Sequence, residues 1–127
     1  MLRTFLMLAA FFGFTGVALG AFGAHILKNR LSTEYMAIFQ TGVLYQLIHA
    51  LALFGVALLA MQIQGRLVTY AGIAFTLGII LFSGSLYLLS LTGVTKLGII
   101  TPIGGLCFLL GWAILGWTAW QLGVETL

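Results

Sequence analysis

A chain of 127 residues that is 62% hydrophobic and only 6% charged cannot be a soluble globule, because soluble domains average roughly 25% charged residues. Mean hydropathy is +1.21, so lipid must solvate most of the surface, and at about 20 apolar residues per span the length allows four or five spans and no water-soluble domain. The net charge of +3 comes from Arg3, Lys28, Arg30, Arg66 and Lys96, dispersed between apolar runs; they read as anchors for lipid head groups and exclude a nucleic-acid surface.

The first apolar run is Thr4–Leu27. Its basic start and the small residues near Ala18, Gly20 and Ala21 resemble a secretory leader. The run outlasts a leader core and is long enough to span, so an uncleaved first helix over 3–26 is expected. Gly13, Gly16, Gly20 and Gly23 share one helical face, with Gly16 and Gly20 forming a G-x-x-x-G pair. Such a seam lets membrane helices approach closely. His25 falls at the end of this helix, before the polar turn Lys28-Asn29-Arg30.

A second helix is expected over 33–62. Ser32 or Thr33 is a suitable N-cap, and Glu34 in the first turn faces the positive helix end. The helix is longer than the bilayer requires, so its opening turns to Gln40 fall in the interface. Tyr45, Gln46 and His49 stand at helical spacings of three and four and point to one side. Glu34 and Thr41 extend that stripe towards the helix start.

Gly65-Arg66 makes a tight turn into a third helix over 67–91, which ends at Thr92-Gly93. Thr69, Thr76, Ser83 and Ser90 recur every seven residues along it, nearly two turns, and give it a small polar seam. Thr101-Pro102 supplies a hydroxyl cap followed by proline at the first helical position, which starts a fourth helix over 102–121. Gly104, Gly111 and Thr118 form the matching seam there. Trp112, Trp117 and Trp120 crowd the second half of this helix, and the last two suit an interfacial aromatic belt. The single cysteine, Cys107, excludes an intramolecular disulfide and reads as a packing residue.

Every run is continuously apolar and none alternates, so strands are excluded. Lipid also requires the backbone to satisfy its own hydrogen bonds. The expected fold is all-α: a bundle of four transmembrane helices forming one integral membrane domain over 1–127.

Ionisable groups inside spans are costly and mark candidate sites. The short connections put His25, the first loop and the third loop on one side of the bilayer. If the second helix enters the membrane near Thr41, His49 lies about 12 Å deep, and the third helix arrives with Ser83 and Ser85. His25, Glu34, Tyr45, Gln46, His49, Ser83 and Ser85 are therefore expected to line a polar cavity open to that side, with His25, Tyr45 and His49 in one pocket. A purely structural role competes for each. His49 would bond a nearby carbonyl or hydroxyl, His25 would reach the interface, Glu34 would be a solvated cap or a partner for Arg30, and the serines would bond their own helix. The chain has no aspartate, and Glu34 and Glu125 lie near opposite ends. No paired-carboxylate chemistry is available, and two histidines without a CxxCH or HExxH motif imply no metal or other cofactor.

Phe22-Gly23-Ala24-His25, Tyr45-Gln46 with His49-Ala50-Leu51-Ala52-Leu53, Phe82-Ser83-Gly84-Ser85-Leu86-Tyr87, and Thr101-Pro102-Ile103-Gly104-Gly105 with Gly111-Trp112 fall in order on the four helices. With these motifs the chain resembles a small, uncharacterised membrane family of domain-of-unknown-function proteins. That family includes the bacterial YgdD-like and YwdK-like proteins and the animal transmembrane protein 256-like group. The resemblance covers essentially the whole chain and implies a four-helix membrane protein. It implies no activity, substrate or catalytic residue.

Three functions compete. Glycine seams and minimal loops favour a non-enzymatic protein that packs with itself, as a homo-oligomer, or with a partner membrane protein. The polar cavity around His25 and His49 favours a small transporter or channel for a proton or small solute, but the apolar opposite half argues against a continuous pore. An intramembrane enzyme is least favoured, for want of an acid–base pair. The expected location is a bacterial inner membrane, with both termini on one side. Arg3 at the start of the first helix favours the cytoplasmic side.

Overall fold

A computed structural model describes residues 2–126, with side chains as far as Gly123. Helix α1 spans Leu2–Leu27, α2 Thr33–Ala60, α3 Arg66–Thr92 and α4 Ile100–Thr126. All four are long and apolar enough to cross a bilayer. At 1.5 Å per residue each is roughly 40 Å long, against a hydrocarbon core of about 30 Å.

Local chemistry fixes the ends. Ser32, in extended conformation, caps α2 by accepting from the Tyr35 amide at 3.1 Å. Gly65, with φ 128° and ψ 170°, turns the chain into α3, and Gly93 ends α3 with φ 73°. Both conformations favour glycine. A short 3₁₀ turn, Thr95–Ile99, leads into α4. Helix α4 begins at Ile100, two residues before the start expected at Pro102. Proline is tolerated in the first turn because its missing N–H has no intrahelical partner there. The Thr101 hydroxyl does not serve as the expected cap; it bonds Ser85 Oγ on α3 at 2.6 Å.

Two segments leave the α register: Leu19–Gly23 in α1 and Ile79–Ser83 in α3 are π-helical. Each adds a residue to a turn and rotates the following residues about the helix axis.

Burial divides the helices into an inner and an outer pair. In the most apolar windows of α2 and α3, 39% and 44% of residues are buried, against 17% in α1 and in α4. Helix α1 packs along α2, α2 against α3, and α3 along α4. Each outer helix reaches across the bundle through an aromatic ring. Phe5 of α1 lies against Gly72 of α3, and Phe108 of α4 stacks on His49 of α2. The centre is made by Leu53, Val56 and Ala57 of α2 with Ala71 and Phe75 of α3, all fully buried.

Because lipid tails are as apolar as the side chains, helix association here depends on close fit rather than on water exclusion. A Cβ placed on Gly16 would stand 2.6 Å from Leu47 Cδ2, and one on Gly20 would stand 2.9 Å from Val43 Cγ1. Gly23 faces the Phe39 ring and Gly111 the Phe75 ring. Gly104 is the tightest case, because its neighbours are the main-chain atoms of Phe82. Gly13 departs from the expected seam: nothing lies within 4 Å of a Cβ there. It lines an apolar groove along α1 and α2 with Ala9, Ala10 and Leu47.

Candidate functional site

Near the middle of α2, polar side chains leave the helix in two directions. Gln46 turns towards α1 and α3 and is 3% exposed. Its Nε2 donates to the Phe12 carbonyl at 2.9 Å and to Thr15 Oγ1 at 2.8 Å, and its Oε1 accepts from the Tyr87 hydroxyl at 2.6 Å. The Phe12 carbonyl can only accept, which fixes the orientation of the amide. One glutamine thus ties three helices together.

His49 turns instead towards α4. Its Nδ1 lies 2.8 Å from the Tyr45 carbonyl, and Trp112 Nε1 lies 3.0 Å from its Nε2. A carbonyl and an indole N–H leave one consistent assignment: Nδ1–H donates, and Nε2 accepts from the indole. The ring is therefore neutral with both nitrogens used. Adding a proton to Nε2 would set two donors against each other. Phe108 stacks on the imidazole at 3.6 Å and 10°, and Phe75 and Trp112 close around it at 5.5 and 5.9 Å.

The serines bind the helices at the next levels. Ser83, fully buried in the π-helical part of α3, donates to the Gly42 carbonyl of α2 at 2.7 Å. Ser85 donates to the Phe82 carbonyl at 2.9 Å and joins Thr101 of α4.

The single pocket expected for His25, Tyr45 and His49 does not form. His25 is exposed at the end of α1. The contacts Gly16–Leu47, Gly20–Val43 and Gly23–Phe39 set the register of α1 against α2 and place His25 level with about Ile38, roughly 16 Å along the axis from His49. Glu34 is likewise exposed, in the first turn of α2. Gln46 and His49 do not share the expected side: spaced at three residues, they diverge enough for α2 itself to separate them. Tyr45 stays near His49, with ring centroids 6.2 Å apart, and borders a groove between α2 and α4 with a volume of about 590 Å³. Phe108 and Trp112 complete the histidine's surroundings, and Thr15 and Tyr87 those of Gln46. Of these, Tyr87 and Trp112 stood in the motifs that carry the family resemblance, while Phe108 carried no signal. Among the described residues no group of three His, Cys, Asp or Glu converges as a metal site would, and Cys107 is half-buried on α4.

Comparison with known proteins places this arrangement. The family described as "Protein of unknown function (DUF423)" matches residues 19–105. The chain belongs to that family. The UPF0382 membrane protein YwdK of Bacillus subtilis is 45% identical over 115 residues, which cover 90% of this chain and 94% of the relative. The UPF0382 inner membrane protein YgdD of Escherichia coli K12 is 45% identical over 114 residues, covering 89% of this chain and 86% of the relative. A UPF0382 membrane protein of Staphylococcus epidermidis is 43% identical over 114 residues. No solved structure matches. The matched region of the DUF423 member runs from the π-helical segment of α1 to the first turns of α4 and includes His25, Gln46, His49, Ser83, Ser85 and Thr101. The chain is a small membrane protein of a family whose description assigns no reaction.

Proposed function

We propose that the protein is a non-enzymatic accessory component of a bacterial inner membrane, working by packing against further copies of itself or against a partner membrane protein. The observation that carries this reading is the state of the buried polar groups. Gln46, His49, Ser83 and Ser85 spend their hydrogen bonds on other helices or on backbone, and no described buried side-chain nitrogen or oxygen lacks a partner. Groups committed in this way fix helix positions and are not themselves available to a substrate or a travelling proton. The outer helices add support. Phe14 and Phe22 of α1 are 78% and 70% exposed. Gly13 of α1 and Gly116 of α4 have open space where a Cβ would stand, so their small size serves no contact within the chain.

The transport alternative needs a histidine that gains and loses protons, and the imidazole of His49 is tied at both nitrogens. Two measurements separate the readings. In native membranes of a Cys107→Ala background, Gly13→Cys is expected to give cross-linked species with a bifunctional maleimide. In proteoliposomes carrying a pH dye, the wild type and His49→Ala are expected to show the same proton leak as empty vesicles. A protein that stays uncross-linked from every exposed face, or a flux that His49→Ala removes, defeats the accessory role.

A further inference from the structure

The groove between α2 and α4 holds a polar group that the bundle leaves unused. Tyr45 forms part of its wall and is 37% exposed. Its hydroxyl makes no hydrogen bond with any described residue, although the neighbouring polar groups at this level are all paired. Tyr45 stands about one turn inside the membrane entry expected near Thr41, where an unpaired hydroxyl facing apolar surroundings is costly. The groove opens sideways into lipid between Leu106 and Leu109, each 66% exposed. Its volume of about 590 Å³ falls within the range of small-molecule sites, about 300–1,000 Å³.

The walls describe the occupant. Tyr45, His49 and Phe108 present nearly parallel rings, with interplanar angles of 13°, 23° and 10°, and Phe82 lies 4.5 Å from the Tyr45 ring. Such a wall favours a planar ring stacked on it. The imidazole and the indole N–H are committed to each other, so the free phenol is the group available to a guest. A guest that reaches this depth from the side must be lipid-soluble.

We propose that the groove binds a lipid-soluble quinone, a planar ring with carbonyl acceptors on an apolar tail, stacked against Tyr45 and Phe108 and accepting a hydrogen bond from the Tyr45 hydroxyl. The ring lies at the level of His49 and the tail leaves between Leu106 and Leu109. Binding alone is proposed, with no electron transfer, and it stands independently of the accessory role.

The test uses the full chain in phosphatidylcholine nanodiscs, with Trp117→Phe and Trp120→Phe making Trp112, at the rim of the groove, the sole tryptophan. Decylubiquinone is expected to quench its fluorescence saturably. Tyr45→Phe should weaken the apparent affinity about five-fold, the loss of one hydrogen bond, without lowering thermal stability, because that hydroxyl holds nothing inside the chain. Gly105→Leu should abolish saturation. A Cβ there meets only Phe82 Cδ2, at 3.9 Å, so the new side chain fits locally and fills the groove. Quenching that rises linearly with quinone, or that is equal in Gly105→Leu, overturns the proposal. So does an unchanged affinity in Tyr45→Phe. Disulfide-linked dimers of Leu106→Cys in the Cys107→Ala background, unaffected by decylubiquinone, would assign the groove to a second copy and overturn it as well.

Discussion

Replacing Gly104 with alanine tests how far this bundle depends on backbone proximity. The added methyl would stand 2.7 Å from Phe82 Cα and 2.8 Å from its Cβ, and nearer still to the Phe82 amide nitrogen. Ordinary carbon contacts lie at about 3.5–4.0 Å, so α3 and α4 must part by roughly 1 Å. A rotamer change cannot absorb this, because the obstacle is main chain in the π-helical segment Ile79–Ser83. The separation would also stretch the Ser85–Thr101 bond of 2.6 Å and the Trp112–His49 bond of 3.0 Å. Overpacking of this kind costs about 1–3 kcal/mol, and each strained interhelical bond adds about 0.6 kcal/mol; a loss of about 2–4 kcal/mol is expected. Reversible unfolding of the purified protein in mixed micelles measures it. Gly13→Ala is the internal control, since its methyl meets open space, and it should be neutral or mildly stabilising. Equal stability of Gly104→Ala and Gly13→Ala would refute the claim that the α3–α4 crossing is set by main-chain contact.

Gly16→Leu should lose about 1–3 kcal/mol by overpacking against Leu47, with Gly16→Ala milder because the obstacle is the end of a side chain; unchanged melting in detergent for Gly16→Leu would count against the α1–α2 contact. Gln46→Leu removes three interhelical bonds and strands the Tyr87 hydroxyl, so at about 0.6 kcal/mol per bond a loss of about 2 kcal/mol is expected in the same unfolding assay. A stable variant would show that the glutamine bridge is incidental. Reporter fusions at the N- and C-termini should give the same orientation, as four crossings require, and opposite signals would mean an odd number of spans.

Composition and run length alone determined the class of this protein, because a surface with so few charges can be solvated only by lipid, and lipid permits little besides helices of about this length. The caps at Ser32 and Gly93 were legible for a similar reason: N-cap and C′ chemistry acts over a few neighbouring residues. The fourth helix was legible in existence but not at its start, since Thr101 uses its hydroxyl on Ser85, a partner distant in sequence. The arrangement of the polar residues was not legible: Gln46, His49, Ser83 and Ser85 are buried and paired, whereas His25 and Glu34 stand exposed. Spacings of three and four residues placed Tyr45, Gln46 and His49 together, but a helical interval of three still leaves about 60° between side chains, enough here to send Gln46 to α1 and His49 to α4. The level of His25 against α2 depended on the register set by Gly16, Gly20 and Gly23. The π-helical segments left no sequence signal, and they rotate everything beyond them. Hydropathy is a property of each residue and adds along the chain, so sequence carries it unaided. Register, helix rotation and the choice of hydrogen-bond partner belong to pairs of helices, and only the packed bundle decides them.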